Sequence, residues 1–194
     1  MSKIKKTPLR ILLLMSFLTV ISIVCGKYMA INIGDFIRLS FENMPILFAG
    51  ILLGPVYGMT VGVVADLLGC LLVGYAINPI ITTGAAFIGL LSGILWRYTE
   101  IIHRTFPRLL LTVFVSHMVG SVVIKTGGLY IMYGTEYTVL LFWRLLNYLI
   151  VTAYETFVLL FLLKNKTVIA AAKRFMERAG IKKDTEKGEE KEAP

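Results

Sequence analysis

The chain has 194 residues, of which 57% are hydrophobic and only 16% charged, with a mean hydropathy of +0.77. A water-soluble domain carries about 25% charged residues, so this composition excludes a disordered chain and argues strongly against a water-soluble globular domain. The net charge of +8 gathers at the two ends, as in membrane proteins with Lys/Arg-rich cytoplasmic termini, and calls for no nucleic-acid partner.

A helix needs about 20 apolar residues to cross the hydrocarbon layer. The first such run is 11–31, preceded by Lys3, Lys5, Lys6 and Arg10. No small-x-small cleavage site stands near Cys25, so the run reads as a retained first helix and not a signal peptide. The connection over 27–43 carries Lys27, Asp35, Phe36, Arg38, Phe41, Glu42 and Asn43, and its length suits a lid. Residues 44–73 are too long for one span and too short for two. Gly54-Pro55 breaks them, because proline cannot continue the helical ladder and its predecessor is pushed out of the helical region. A short helix near 45–54 and a second near 57–73 follow. Further helices are expected at 80–96, 109–133 and 139–163.

These elements predict an all-α integral membrane protein of six transmembrane helices, one of them short and ended at Gly54-Pro55. Lys/Arg residues set the orientation. They crowd the N-terminus, the 97–108 connection (Arg97, Arg104, Arg108) and the tail from Lys164 onward, while the opposite side holds only Lys27 and Arg38. Both termini are therefore expected in the cytoplasm, with the chain multi-pass in the cell membrane. Two regions follow: a six-helix membrane domain over 1–166, and a cytoplasmic part over 167–194. In the latter, Val168, Ile169, Phe175 and Met176 among basic residues predict an inner-surface helix. The charged end from Lys182 lacks apolar residues and is expected to be disordered.

Asp66, Lys125, Arg144 and Glu155 fall inside spans. Each costs about 2.5–3.5 kcal/mol at a helix centre if it stands alone. Two acids and two bases can pair as structural bridges, or can line a polar cavity for a charged solute. At 1.5 Å per residue, Lys125 and Arg144 both lie roughly 10–12 Å from the outer end of their helices. Arg144, Asn147, Tyr148, Val151 and Glu155 recur at helical spacing and share one inward face. Glu155 is the deeper of these and suits a structural role. Asn78, Thr82, Thr83, Tyr75, Tyr130 and Tyr133 add polar and aromatic groups near the outer side; tyrosines there also serve as interfacial belt residues. Gly50, Gly54, Gly58 and Gly62 recur every fourth residue and suit close helix packing. On the first helix, Ser16 and Val20 stand one turn apart in a weaker small-residue face.

Several chemistries have no residues to carry them. The sequence has no GxxxxGK[ST] phosphate loop, no GxSxG elbow and no HExxH pair. His103 and His117 are isolated, and Cys25 and Cys70 sit in apolar runs as packing residues. No catalytic residue, no metal site and no cofactor is expected.

The stretches Arg38-Leu-Ser-Phe-Glu-Asn-Met-Pro45, Gly50-Ile-Leu-Leu-Gly-Pro-Val-Tyr-Gly58, Ala65-Asp-Leu-Leu-Gly69, Lys125-Thr-Gly-Gly-Leu-Tyr-Ile-Met-Tyr-Gly134 and Arg144-Leu-Leu-Asn147 resemble the substrate-binding S components of energy-coupling factor (ECF) vitamin transporters, the folate members in particular. The resemblance runs over about residues 10–163. It implies a non-enzymatic subunit that binds a vitamin on the outer side and associates with a transmembrane coupling protein and two cytoplasmic ATPases. It implies contact with the coupling protein through small residues of the first helix. The matching positions here are Ser16 and Val20, a departure from the usual Ala-xxx-Ala because Val20 is bulkier.

Folate offers carboxylates, which call for Arg or Lys, a pterin edge that suits a carboxylate, and flat faces that suit aromatics. The expected binding residues are Arg144, Lys125, Lys27 and Arg38 for the carboxylates, and Asp66 or Glu42 for the pterin edge. Tyr75, Tyr130, Asn78, Asn147 and Tyr148 join them, with Phe36 and Phe41 as further aromatic candidates. The alternatives are an S component for another vitamin or precursor, a membrane enzyme acting on lipid head groups, and a channel or scaffold subunit.

Overall fold

Long apolar stretches punctuated by Gly, Pro and Asn leave the chain few choices but helices, since every backbone polar group in hydrocarbon must be satisfied within its own segment. The computed structural model describes residues 9–33, 37–134 and 136–178. Helix α1 (Leu9–Ile23) runs on into a wider π-helical turn, Val24–Tyr28. Two short strands follow, β1 (Ile31–Ile33) and β2 (Ile37–Leu39), paired antiparallel with Ile31 opposite Leu39. Then come α2 (Asn43–Leu53), α3 (Pro55–Val73), α4 (Pro79–Tyr98) and a 3-10 turn at Thr99–Ile101. Helix α5 (Thr105–His117) passes through a second π-helical stretch, Met118–Ile124, into α6 (Lys125–Tyr133). Helix α7 (Tyr137–Lys164) and helix α8 (Lys166–Arg178) complete the described chain.

Among the described residues, five helical segments are long and apolar enough to cross a membrane: Leu9–Tyr28, Pro55–Val73, Pro79–Ile101, Thr105–Met132 and Tyr137–Lys164. Asn43–Leu53 is apolar but shorter. Among the described residues the architecture is helical apart from the ribbon, which occupies part of the connection read from sequence as a lid-like loop. The charged end from Lys182 lies outside the described residues.

The break at Gly54-Pro55 forms as its chemistry requires. Gly54 has φ +111° and closes α2, while Pro55 opens α3, where its missing N–H has no helical partner to lose. The chain thereby folds α2 back against α3 and α4, which also pack directly on each other. The glycines form this seam. A Cβ on Gly58 would lie 2.5 Å from the Gly89 carbonyl oxygen and 2.6 Å from the Gly50 Cα, and one on Gly62 would lie 2.4 Å from the Ala85 oxygen. Their four-residue repeat thus serves close helix packing. Ile46, Leu47, Val61, Ile88, Leu109, Val113 and Leu159 fill the core around it, while Phe17, Leu71, Phe157 and Phe161 point outward, as residues facing lipid do. At the α4–α5 corner, Arg108 stacks on the Trp96 ring at 4.1 Å, donates to the Trp96 carbonyl and approaches Glu100 at 3.7 Å. Helix α8 packs on α7 and α1, with Val168 against the core.

Candidate functional site

Polar side chains converge at one end of the helical body. Lys27 lies in the π-helical turn after α1. Its stem crosses Gly69, where a Cβ would come within 2.9 Å of Cε, and its ammonium stands 5.6 Å from the centre of the Tyr75 ring. Glu42 lies at the start of α2 against Gly26, whose missing side chain makes room for it. The Ser22 hydroxyl donates to the Glu42 carbonyl at 2.6 Å and ties α1 to this corner. Asp66 on α3 accepts from the Thr82 hydroxyl at 2.6 Å, so α4 orients its carboxylate. Lys125 opens α6, is 7% exposed and leans over Gly84. Arg144 on α7 donates to the Ser121 carbonyl at 2.8 Å and lies 5.3 Å from the centre of the Tyr148 ring.

These groups enclose a cavity of about 340 Å³, within the roughly 300–1,000 Å³ of small-molecule sites. Of the residues expected from sequence, Lys27, Glu42, Asp66, Tyr75, Lys125, Arg144, Asn147 and Tyr148 line it. Among the described residues no ion pair joins these cations to Glu42 or Asp66; the ion pairs present are Arg108–Glu100 and His117–Glu155. The two structural bridges weighed from sequence for Asp66, Lys125, Arg144 and Glu155 are thus not formed among the described residues.

Other expected residues stand elsewhere. Asn78 caps α4, accepting from the Ile80 and Ile81 N–H groups, and donates to the Gly128 carbonyl at 3.1 Å. Its place is a tether between α4 and α6, outside the lining. Asn78→Ala is expected to lower thermal stability by about 1–2 kcal/mol, as loss of a cap does, and to leave the cavity intact; a melting curve checks it. Tyr130 packs edge-on against Tyr137 at 5.7 Å, outside the lining. Phe41 packs on Tyr154 at 4.8 Å. Arg38 is part of β2, but its side chain lies outside the described residues, as does Phe36. Ser16 and Val20 stand on the exposed face of α1, in a separate apolar groove of about 250 Å³ closed by Thr60, Val61, Val64 and Leu68 of α3.

The structure adds residues the sequence did not single out for the site. Ser40, Cys70, Ile81, Leu129 and Met132 line the cavity, and so does Asn43, which is buried with its side-chain oxygen unpartnered among the described residues. Asn43 sat in the quoted motif, yet nothing in an Asn at a helix start separates a ligand contact from a cap. His117, read as isolated, bonds Glu155 at 2.7 Å, both fully buried. Partners 38 residues apart leave no local spacing signal.

The sequence matches the family described as "ECF transporter, substrate-specific component" over residues 10–171. No curated protein sequence matches. Among solved structures, the fold is similar to that of FolT bound with folic acid, with a TM-score of 0.63 and 23% identity over 76% of this chain and 88% of that one. It is also similar to the S-component for biotin from an ECF-type ABC transporter, with a TM-score of 0.51 and 18% identity over 87% of this chain and 92% of that one. The family is one of transport components and not of enzymes, and its members are multi-pass membrane proteins that bind a vitamin and work with an energy-coupling module. With the family matched over most of the chain and the fold shared with two S components, this protein belongs to the substrate-specific components of ECF transporters.

Proposed function

We propose that this subunit binds folate in the cavity bounded by Lys27, Glu42, Asp66, Lys125 and Arg144. One observation carries the reading: three cations and two carboxylates meet around one cavity with no ion pair between them among the described residues. That arrangement matches a ligand with carboxylates at one end and a hydrogen-bonding heterocycle at the other. Arg144, Lys125 and Lys27 take the glutamate carboxylates, and Arg38 is a fourth cation for the same role. Asp66 or Glu42 accepts from the pterin edge. Tyr75 and Tyr148 offer ring faces, and Asn147 a side-chain amide. Asn78 and Tyr130 support this wall from behind. The likeness to FolT with folic acid, in fold, agrees with this ligand.

In this reading the chain spans a prokaryotic cell membrane six times, with Asn43–Leu53 as the short span and both termini cytoplasmic. The cavity then opens outward, and α8 with the tail after it forms a basic cytoplasmic region beyond the membrane domain. The partners are a transmembrane coupling protein and two cytoplasmic ATPases, met through the Ser16–Val20 face of α1. Binding and conformational cycling, with no covalent chemistry, make up the mechanism.

The test is to purify the protein in detergent from cells grown in rich medium and to identify what denaturation releases by mass spectrometry. Titration with folate follows, read by fluorescence of Trp96 and Trp143. Stoichiometric folate is the expected result. A different vitamin overturns the pterin assignments and keeps the family; no ligand and no response to any vitamin overturns the cavity assignment.

A further inference from the structure

Beside Arg144 lies a chain of contacts that leads from the cavity wall into the buried interior. Glu155 Oε2 stands 2.7 Å from His117 Nε2, and neither side chain has any solvent exposure. The other ring nitrogen of His117 is 3.4 Å from the Ser121 hydroxyl. The face of the His117 ring packs against Tyr148, with centroids 5.2 Å apart. Arg144 in turn touches both of these neighbours: it donates to the Ser121 backbone carbonyl and lies along the Tyr148 ring. Thus both groups that fix the Arg144 guanidinium rest on His117, and His117 is itself fixed by Glu155. Neither His117 nor Glu155 lines the cavity.

A bare ion pair in this position would be costly. Burial of two charges outweighs their attraction unless geometry and further hydrogen bonds are good, and well-packed apolar residues of similar size often serve stability as well or better. A pair of this kind therefore suggests a use other than stability. Glu155 holds one ring nitrogen, which fixes the plane of the imidazole, as an outer carboxylate does for a histidine that must point one way. The fixed ring then orders Tyr148 on one side and the π-helical turn bearing Ser121 on the other. We infer that His117 and Glu155 are positioning residues of the binding site, holding the Arg144 guanidinium where it meets a ligand carboxylate. This rests on the proposed folate reading of the cavity.

The test compares two probes, folic acid and its pterin–aminobenzamide analogue, which ends in an uncharged amide where folic acid carries the glutamate, on purified full-length protein. His117→Phe combined with Glu155→Leu removes the pair without stranding a charge. It is expected to weaken folic acid about tenfold, equivalent to a coupling of about 1.4 kcal/mol, and to weaken the amide analogue distinctly less, since that probe shares the Tyr148 contact but not the Arg144 one. In an Arg144→Ala background the same double change is expected to cost nothing further, since residues acting through one group are not additive. His117→Gln gives the same comparison if the double variant does not fold, with a loss again larger for folic acid. Glu155→Gln, which keeps an acceptor for His117, is expected to retain binding. Equal losses for both probes, or an undiminished loss in the Arg144→Ala background, overturn the positioning role while the cavity reading stands. If Arg144→Ala itself leaves folic acid binding unchanged, the cavity reading fails and the positioning role with it.

Discussion

Arg144→Ala is expected to weaken folate binding about 30-fold while the protein still inserts and purifies normally. A hydrogen bond to a charged group contributes roughly 1.5–3 kcal/mol, and about 2 kcal/mol corresponds to ~30-fold in affinity. The loss falls on binding and not on folding because Arg144 has no ion-pair partner among the described residues. Among the described residues it donates to the Ser121 carbonyl, a backbone group already within a helical stretch. Arg144→Lys is expected to fall between the two, keeping the charge but losing the planar fork that grips a carboxylate with two parallel bonds. Equilibrium titration of the three proteins checks this. Unchanged affinity in Arg144→Ala would remove the carboxylate end of the ligand from this wall.

Gly89→Val is expected to cost more, and in a different currency. A Cβ on Gly89 would lie 2.1 Å from the Gly58 carbonyl oxygen and 2.2 Å from its carbon. Both are backbone atoms, so no rotamer change relieves the clash. Overpacking that side chains can absorb costs about 1–3 kcal/mol; here α3 and α4 must separate along the seam against which α2 packs. The expected result is aggregated protein on size exclusion in detergent, or a steep fall in melting temperature. Gly127→Ala is the control. Nothing lies within 4 Å of a Cβ at Gly127, and alanine favours a helix by about 1 kcal/mol over glycine. A Gly89→Val protein as stable as the parent would show that the α3–α4 seam tolerates separation.

Much of the fold was legible because the membrane leaves so few options. Gly54-Pro55 marked the α2–α3 break, and the apolar runs placed the long helices within a few residues of their ends. Lys125 and Arg144 stood out because charge inside a span demands a reason. The remainder hid in contacts that one chain direction does not display. His117 and Glu155 lie on different helices, so neither spacing nor motif links them. Asn78 was singled out as a polar group near the site, yet a capping Asn and a lining Asn look identical in sequence. The two π-helical stretches left no mark at all, since a turn widened by one residue has no composition of its own.

Those stretches govern where the positive charge ends up. Lys27 belongs to the first and Lys125 directly follows the second. Each residue added to a turn advances the rest of the helix by about 100° relative to its earlier face. In an unbroken α-helix Lys125 would stand about 160° round from Leu109; the widened turn takes up a residue and swings Lys125, Leu129 and Met132 back toward the inward side, so that Leu109 and Val113 face the core at one level and these three face the cavity at the next. Such phase shifts let one rod serve a dry interior at one level and a wet recess at another. They also mean that the helical register, and not only the identity of the lysines, is a property on which ligand choice can turn.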